Sequence, residues 1–402
     1  MRRSDFQGLV PGRITTTEFE DRGRRIAIEA FVPSPLPPAL DRVSFLGRLY
    51  DSLEYAERSL QRLDGVIDAL PGRTVLLGAL RVREAQTSSR IENTFATVRE
   101  IVGASADAPN TRPEALEVLR ARLAIERALR SDLPISGRLL RDMHRVLVID
   151  ASKRPGEFRD VQVCIGDEHR GIEYARFVPP PAAEVEACMR DWELFANPGS
   201  LNAPGRERWP DLVELAFAHY QFETIHPFSD GNGRLGRAIV TLTPVKQGWL
   251  KHPVCTVSEW VSEHRAEYYD ALLRVSTHAD WEGWVRFFCT AVAEQAKADM
   301  ARATRLSALY ERYSNLILGK PGSVRLIRLL DHLFDRHALT IPDVASLLGI
   351  TYPPAKKHVE KLMTMGILRL LFEANYGKVY IAEEVVRAIH GADESEPDAP
   401  PA

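Results

Sequence analysis

The chain has 402 residues, more than one typical domain holds, and its 45% hydrophobic and 27% charged residues exclude a disordered or fibrous protein. A net charge of −3 gives no overall attraction to nucleic acid or anionic membrane, and no stretch approaches the roughly 18 apolar residues of a membrane span. Cys164, Cys188, Cys255 and Cys289 lack paired spacing and read as buried free thiols in a reducing cytoplasm; no apolar run follows the N-terminal arginines to suggest a signal peptide.

Residues 1–41 read as irregular, and Phe31-Val32-Pro33-Ser34-Pro35-Leu36-Pro37-Pro38 is too proline-rich for a helix or central strand, so it is expected to run extended along another part of the protein. From Asp41 to Leu63, Phe45, Leu49, Leu53 and Leu60 mark an amphipathic helix. Pro71-Gly72 breaks the chain before a second helix from about Thr74, which ends at Ser88-Ser89-Arg90-Ile91-Glu92-Asn93. Ser88 and Glu92 fall on one face, and Asn93 suits the left-handed residue that closes a helix. Two helical stretches follow over 113–150, split at Leu133-Pro134, and Pro155-Gly156-Glu157-Phe158-Arg159 ends the pattern. Val161, Val163 and Ile165 then alternate with polar residues; Ile172, Tyr174 and Phe177 resume beyond a polar turn, predicting a short β-hairpin in a helical protein.

Helices are expected over 182–196 and 211–225, the second followed at once by His226-Pro227-Phe228-Ser229-Asp230-Gly231-Asn232-Gly233-Arg234-Leu235-Gly236-Arg237. Leu235, Ala238, Ile239 and Leu242 restore helical spacing, so this stretch is a tight turn between two helices. Gly231 and Gly233 allow the bend, and the amides opening the second helix form an anion site. Arg234 and Arg237 share one side of that helix and suit polyphosphate. Asp230 offers a hard oxygen ligand to Mg²⁺, while His226 is a candidate base because imidazole titrates near neutral pH. A helix carrying Tyr268, Tyr269 and Leu272 and a long helix through 282–313 complete this part. Beyond Gly319-Lys320-Pro321-Gly322, helices at 323–337, after Thr340 and at 353–365 precede two strands around Asn375-Tyr376-Gly377, the pattern of a winged helix-turn-helix. Lys356, Lys357 and Lys361 lie on its third helix, which could meet DNA phosphates, bind protein or pack internally. The tail over 390–402 is acidic and reads as disordered.

Residues 226–237 match every specified position of H-P-F-x-[DE]-G-N-[GK]-R-x-x-R, and the chain therefore resembles Fic-domain proteins. That resemblance implies a mainly α fold, a Fic helical bundle with a small β-hairpin flap, here followed by the C-terminal winged helix. It also implies transfer of AMP from ATP to a Tyr, Thr or Ser hydroxyl of a protein, the chain itself included, with Mg²⁺. His226 would be the base, Asp230 would hold the metal, and Gly231, Asn232, Gly233, Arg234 and Arg237 would bind the phosphates. Gly233 is the form associated with AMP transfer, where a lysine would permit phosphorylation. Residues 88–93 resemble the inhibitory motif [ST]-x-x-x-E-[GN], which casts Ser88, Glu92 and Asn93 as a brake whose glutamate pairs with Arg237. The hairpin with Val163, Cys164, Ile165 and Gly166 would be the flap that pins the target by strand addition, and Tyr268, Tyr269 and Leu272 would line the adenosine side. Phe31 to Pro38 resembles the leader of longer bacterial members, and members of this layout often form homodimers. The expected division is an N-terminal region over 1–110 with the inhibitory helix at about 74–93, a core over 111–313 and the winged helix over 321–385. Two other readings are removal of AMP from modified proteins and a nucleotide-sensing DNA-binding regulator; the intact His226 weighs against the latter, since a sensor needs no base.

Overall fold

A computed structural model describes residues 5–8, 10–21, 24–70, 73–105, 111–166, 174–197, 207–374 and 377–391. The chain divides into two compact units, one of Met1–Gln61 with Leu123–Gln295 and one of Arg62–Arg122 with Ala296–Ala402. The division falls within three helices, α1 (Arg42–Ala69), α4 (Pro113–Arg130) and α11 (Trp281–Ile317).

The first unit opens with a β-hairpin where irregular chain is expected. Residues expected to be irregular form the antiparallel strands β1 (Gly12–Asp21) and β2 (Arg24–Pro33), paired from Gly12↔Pro33 to Asp21↔Arg24. Ile26 and Ile28 pack with buried Ala30, Ala175 and Val178, while Arg25 and Ala27 face solvent. Phe31 donates its N–H to the Val178 carbonyl at 3.0 Å, which fastens the hairpin to the segment leaving the expected flap. On α1, Phe45, Leu49, Leu53, Ala56 and Leu60 bury one face at helical spacing.

The helix α5 (Gly137–Leu147) is N-capped by Ser136, whose Oγ accepts from Leu139 N at 3.3 Å. After a short 3₁₀ turn at Ala182–Glu184 comes α6 (Val185–Ala196), then α7 (Asp211–Ile225) and α8 (Asn232–Lys246). Every residue of α7 from Leu212 to Phe222 is buried, so α7 is the centre of the unit rather than an amphipathic surface helix. Trp192 and Trp284 each donate an indole N–H at 2.8 Å to α7 carbonyls, Ala218 and Ala216, and so bury both rings without losing a hydrogen bond. Two further helices, α9 (Ser258–Glu263) and α10 (Arg265–His278), lead into α11.

In the second unit, α2 (Arg73–Ile91) and α3 (Val98–Ser105) pack with α12 (Ser323–Arg336), β3 (Ala338–Thr340), α13 (Ile341–Leu348), α14 (Tyr352–Thr364), β4 (Arg369–Ala374), β5 (Gly377–Ile381) and α15 (Glu383–His390). The sheet order is β3-β5-β4, antiparallel, with an irregularity between Leu370 and Phe372; the short β3 adds a strand to the two expected. Thr340 and Asp343 close a reciprocal capping box on α13. Leu76 and Ala79 of α2 share one buried cluster with Leu326, Leu329, Leu330 and Leu333 of α12. Gly78 lets the two helices approach closely: a Cβ there would lie 3.1 Å from Asp335 Cγ and 3.4 Å from its Cα. The acidic tail beyond Gly391 lies outside the described residues.

Candidate active site

The turn between α7 and α8 is built by two residues with positive φ. His226 (φ 49) ends α7 and donates its N–H to the Phe222 carbonyl at 3.0 Å, while Gly231 (φ 76) opens α8. The loop is braced from inside by Asn232: its Oδ1 accepts from Phe228 N at 2.9 Å and its Nδ2 donates to Phe228 O at 2.8 Å. Both ends of that side chain are thus spent on the turn. Phe228 points into the core and stacks on His144 with ring centroids 4.1 Å apart.

An alternation of burial results. His226, Ser229, Asp230 and Gly233 are half-exposed, whereas Phe228, Asn232, Arg234 and Arg237 are buried. The imidazole Nδ1 of His226 lies 3.3 Å from the Glu223 carbonyl, which can only accept, so Nδ1 carries the proton and the lone pair falls on Nε2. The Asp230 carboxylate accepts from Gly231 N at 2.6 Å, and Arg234 Nη2 stands 3.5 Å away. Gly233 and Arg234 lie in the first turn of α8, at the end of the helix where backbone N–H groups and the macrodipole favour an anion. Arg237, only 1% exposed, lies one turn deeper.

Two residues without a role in the sequence reading support this loop. His144 of α5 is fully buried; Gly156 donates its N–H to Nδ1 at 2.8 Å, so Nε2 bears the proton and donates to the Asp230 carbonyl at 3.1 Å. Burial drives its pKa down to about 4, which keeps it neutral. The second is Arg159, whose guanidinium donates to backbone carbonyls of the loop and of both arms of the expected flap. A histidine inside an amphipathic helix and an arginine after a Pro-Gly break carry little signal alone. The only hint in the sequence was the polar His144 on the otherwise apolar face of α5.

Behind α8, His219 donates from Nδ1 to the Gly236 carbonyl at 3.0 Å and accepts from the Tyr268 hydroxyl at Nε2, at 2.8 Å. Burial, helped by the charge of Arg237, pushes its pKa down to about 3. Gly236 permits the approach of α8 to α7, since a Cβ there would lie 2.9 Å from Glu223 Cδ. Of the residues expected on the adenosine side, Tyr268 is therefore buried with its hydroxyl engaged in the core. Tyr269 and Leu272 are half-buried, and Arg265 and Arg176 lie over the Tyr269 ring at 5.7 and 5.9 Å.

The expected flap shows one antiparallel pair among the described residues, Ile165 with Phe177, joined by N–H···O bonds of 2.8 and 3.0 Å. Val163, Cys164 and Gly166 flank it without further ladder, and Gly171 and Ile172 lie outside the described residues. In the second unit α2 closes as expected, with Asn93 left-handed (φ 61) and donating to the Arg90 carbonyl at 3.0 Å; Ser88 is buried and Glu92 half-buried. On α14, Lys356, Lys357 and Lys361 are exposed, with Lys356 3.7 Å from Glu360 and Lys361 donating to the Pro321 carbonyl at 3.2 Å. Among the described residues there is no cluster of three metal-ligating side chains, and no helix is long and apolar enough to cross a membrane.

Residues 134–243 match the Fic/DOC family and residues 50–130 match its N-terminal region; the chain carries a Fic domain. It is 33% identical over 137 residues to the protein adenylyltransferase Fic of Culex quinquefasciatus, covering 34% of this chain and 23% of that one. Over 255 residues it is 29% identical to the protein of the same name from Drosophila persimilis, covering 58% and 45%. The chain thus spans less than half the length of these relatives. A solved Fic family protein from Desulfovibrio desulfuricans G20 is similar over 87% of this chain and 97% of its own, at 20% identity and a TM-score of 0.49.

Proposed function

We propose that this chain transfers AMP from ATP to a hydroxyl on a protein side chain, its own chain included. The observation that carries the reading is the loop just described. It sets a histidine with its lone pair on Nε2, a half-exposed carboxylate and the amide-bearing start of α8 along one arc, with two arginines buried behind. The target oxygen attacks the α-phosphorus; the new O–P bond forms as the bond to the β-bridging oxygen breaks, and pyrophosphate leaves. The hydroxyl proton passes to His226 Nε2. Arg234 and Arg237 hold the distal phosphates, and the first-turn amides of α8 face the developing charge.

Asp230 fits Mg²⁺ as a lone, hard, half-exposed oxygen donor, because this ion takes one or two protein carboxylates and otherwise phosphates and water. When bound, the ion would offset phosphate charge. The relatives named protein adenylyltransferase support the reaction class. We also infer that Glu92 restrains the reaction, on the likeness of residues 88–93 to the family's inhibitory motif and the left-handed closure of α2 at Asn93.

The test is incorporation of α-labelled AMP into the chain and into lysate protein, by the wild type, Glu92→Gly and Glu92→Gly/His226→Ala. Glu92→Gly should raise incorporation at least about tenfold, since in-line positioning supplies much of the rate of such chemistry. The double variant should lose it by about 10²–10⁴-fold, the range for a missing general base. Equal incorporation by wild type and Glu92→Gly would refute the brake; retention of more than about a tenth by the double variant would refute His226 as base.

A further inference from the structure

Arg159 is 3% exposed, and among the described residues no carboxylate is one of the groups that act on its charge. Burying a charge is costly unless its donors are satisfied, and a guanidinium has five in a planar fork. Here they meet carbonyls only. Nε donates to His226 O at 2.8 Å, Nη2 to Pro180 O at 2.6 Å and Ile225 O at 3.4 Å, and Nη1 to Val161 O at 3.1 Å. The residue's own N–H donates to Pro227 O at 2.9 Å.

These acceptors belong to three segments far apart in sequence. Val161 enters the expected flap, Pro180 leaves it, and Ile225 to Pro227 end α7. The carbonyls at a helix C-terminus carry its partial negative charge, so a buried cation is stabilised there. His226 holds the left-handed conformation that non-glycine residues seldom adopt, and Arg159 bonds the residue itself and its successor.

We propose that Arg159 is a positioning residue that locks the backbone of His226 to both arms of the flap, so that the base and the element holding the target keep a fixed separation. This rests on the adenylyl-transfer reading above for its consequence, not for its geometry. A lysine at this position would keep the charge but, with all its donors on one nitrogen, could not span His226, Pro180 and Val161 together.

The test uses the full chain carrying Glu92→Gly, with and without Arg159→Lys, and Arg159→Gln as a second variant should the first fail to fold. Amide hydrogen exchange is followed in peptides covering 159–166, 174–181 and 222–232, with 258–278 as the reference. Exchange should quicken together in the first three and not in the reference. The kcat of AMP transfer should fall about 10²-fold, the cost of a misplacement of about 1 Å, with KM for ATP unchanged. Unchanged exchange, or loosening of the flap arms without the loop, would overturn the lock. Loosening with an unchanged kcat, or a rise in KM alone, would overturn the positioning role. If the Glu92→Gly parent transfers no AMP, the functional reading has failed, and the exchange pattern still decides whether Arg159 joins the segments.

Discussion

Replacing His144 by glutamine should change how stability depends on pH, and the size of the effect follows from the two hydrogen bonds of the ring. Glutamine can accept from Gly156 with its carbonyl and donate to Asp230 with its amide, but it cannot be protonated and it loses the stack on Phe228. At pH 7 the change should cost about 1–2 kcal/mol, from imperfect hydrogen bonds and the lost ring contact. The histidine titrates near pH 4 in the folded chain and near 6.5 when unfolded. The unfolded state therefore binds the proton first as pH falls, and stability present above 6.5 is lost progressively toward 4. At pH 5 this loss amounts to about 2 kcal/mol, so wild type and variant should become nearly equal in stability there. His219 has the same sign and is common to both proteins. All six tryptophans lie in the first unit, so urea unfolding followed by their fluorescence reports on that unit. A gap between wild type and His144→Gln that is the same at pH 7 and pH 5 would refute a neutral, buried His144.

Gly78→Ala should fail to deliver the roughly 1 kcal/mol that alanine gives inside a helix, and should instead destabilise by about 1–3 kcal/mol through overpacking. The reason is that the neighbouring Asp335 is pinned by Arg122, at 2.6 Å to Oδ1 and 2.9 Å to its carbonyl; calorimetry would show it as a lowered transition. A chain ending at residue 320 should lose helix and aggregate, because Leu76 and Ala79 would lose the α12 residues that bury them. A soluble truncated protein with unchanged helicity in the remainder, by circular dichroism, would contradict this.

The parts that were legible depended on short-range pattern. Buried positions on α1 recur at helical spacing, α7 and α8 are marked off by the His226 to Gly231 turn, and Thr340 announces α13 through its cap. What escaped depended on distant partners. Ile26, Ile28, Ala30 and Val32 do alternate as a strand should, but the prolines immediately after them disfavour a strand and mask that pattern. The flap's alternation was visible, yet only Ile165 and Phe177 pair among the described residues. His144 and Arg159 could not be recognised because their acceptors and donors, Asp230, Gly156, Pro180 and His226, come together only in the folded unit. The place of Asn232 in the phosphate turn is visible in the motif, whereas its side chain's part as the strut of that turn depends on Phe228 N and O, which only the folded loop brings to it.

The burial of α2 against α12 has an evolutionary consequence. The helix that leads to Glu92 is filled along its apolar side by leucines encoded far downstream, and Asp335 leaves no room for a side chain at residue 78. Drift at Leu326, Leu329 or Leu333 must therefore be matched by drift at Leu76 and Ala79. A recombination that exchanged the C-terminal elements alone would strand α2 without its complement. These two stretches, distant in the gene, should be inherited as one block, while the Fic loop between them is free to follow its own history.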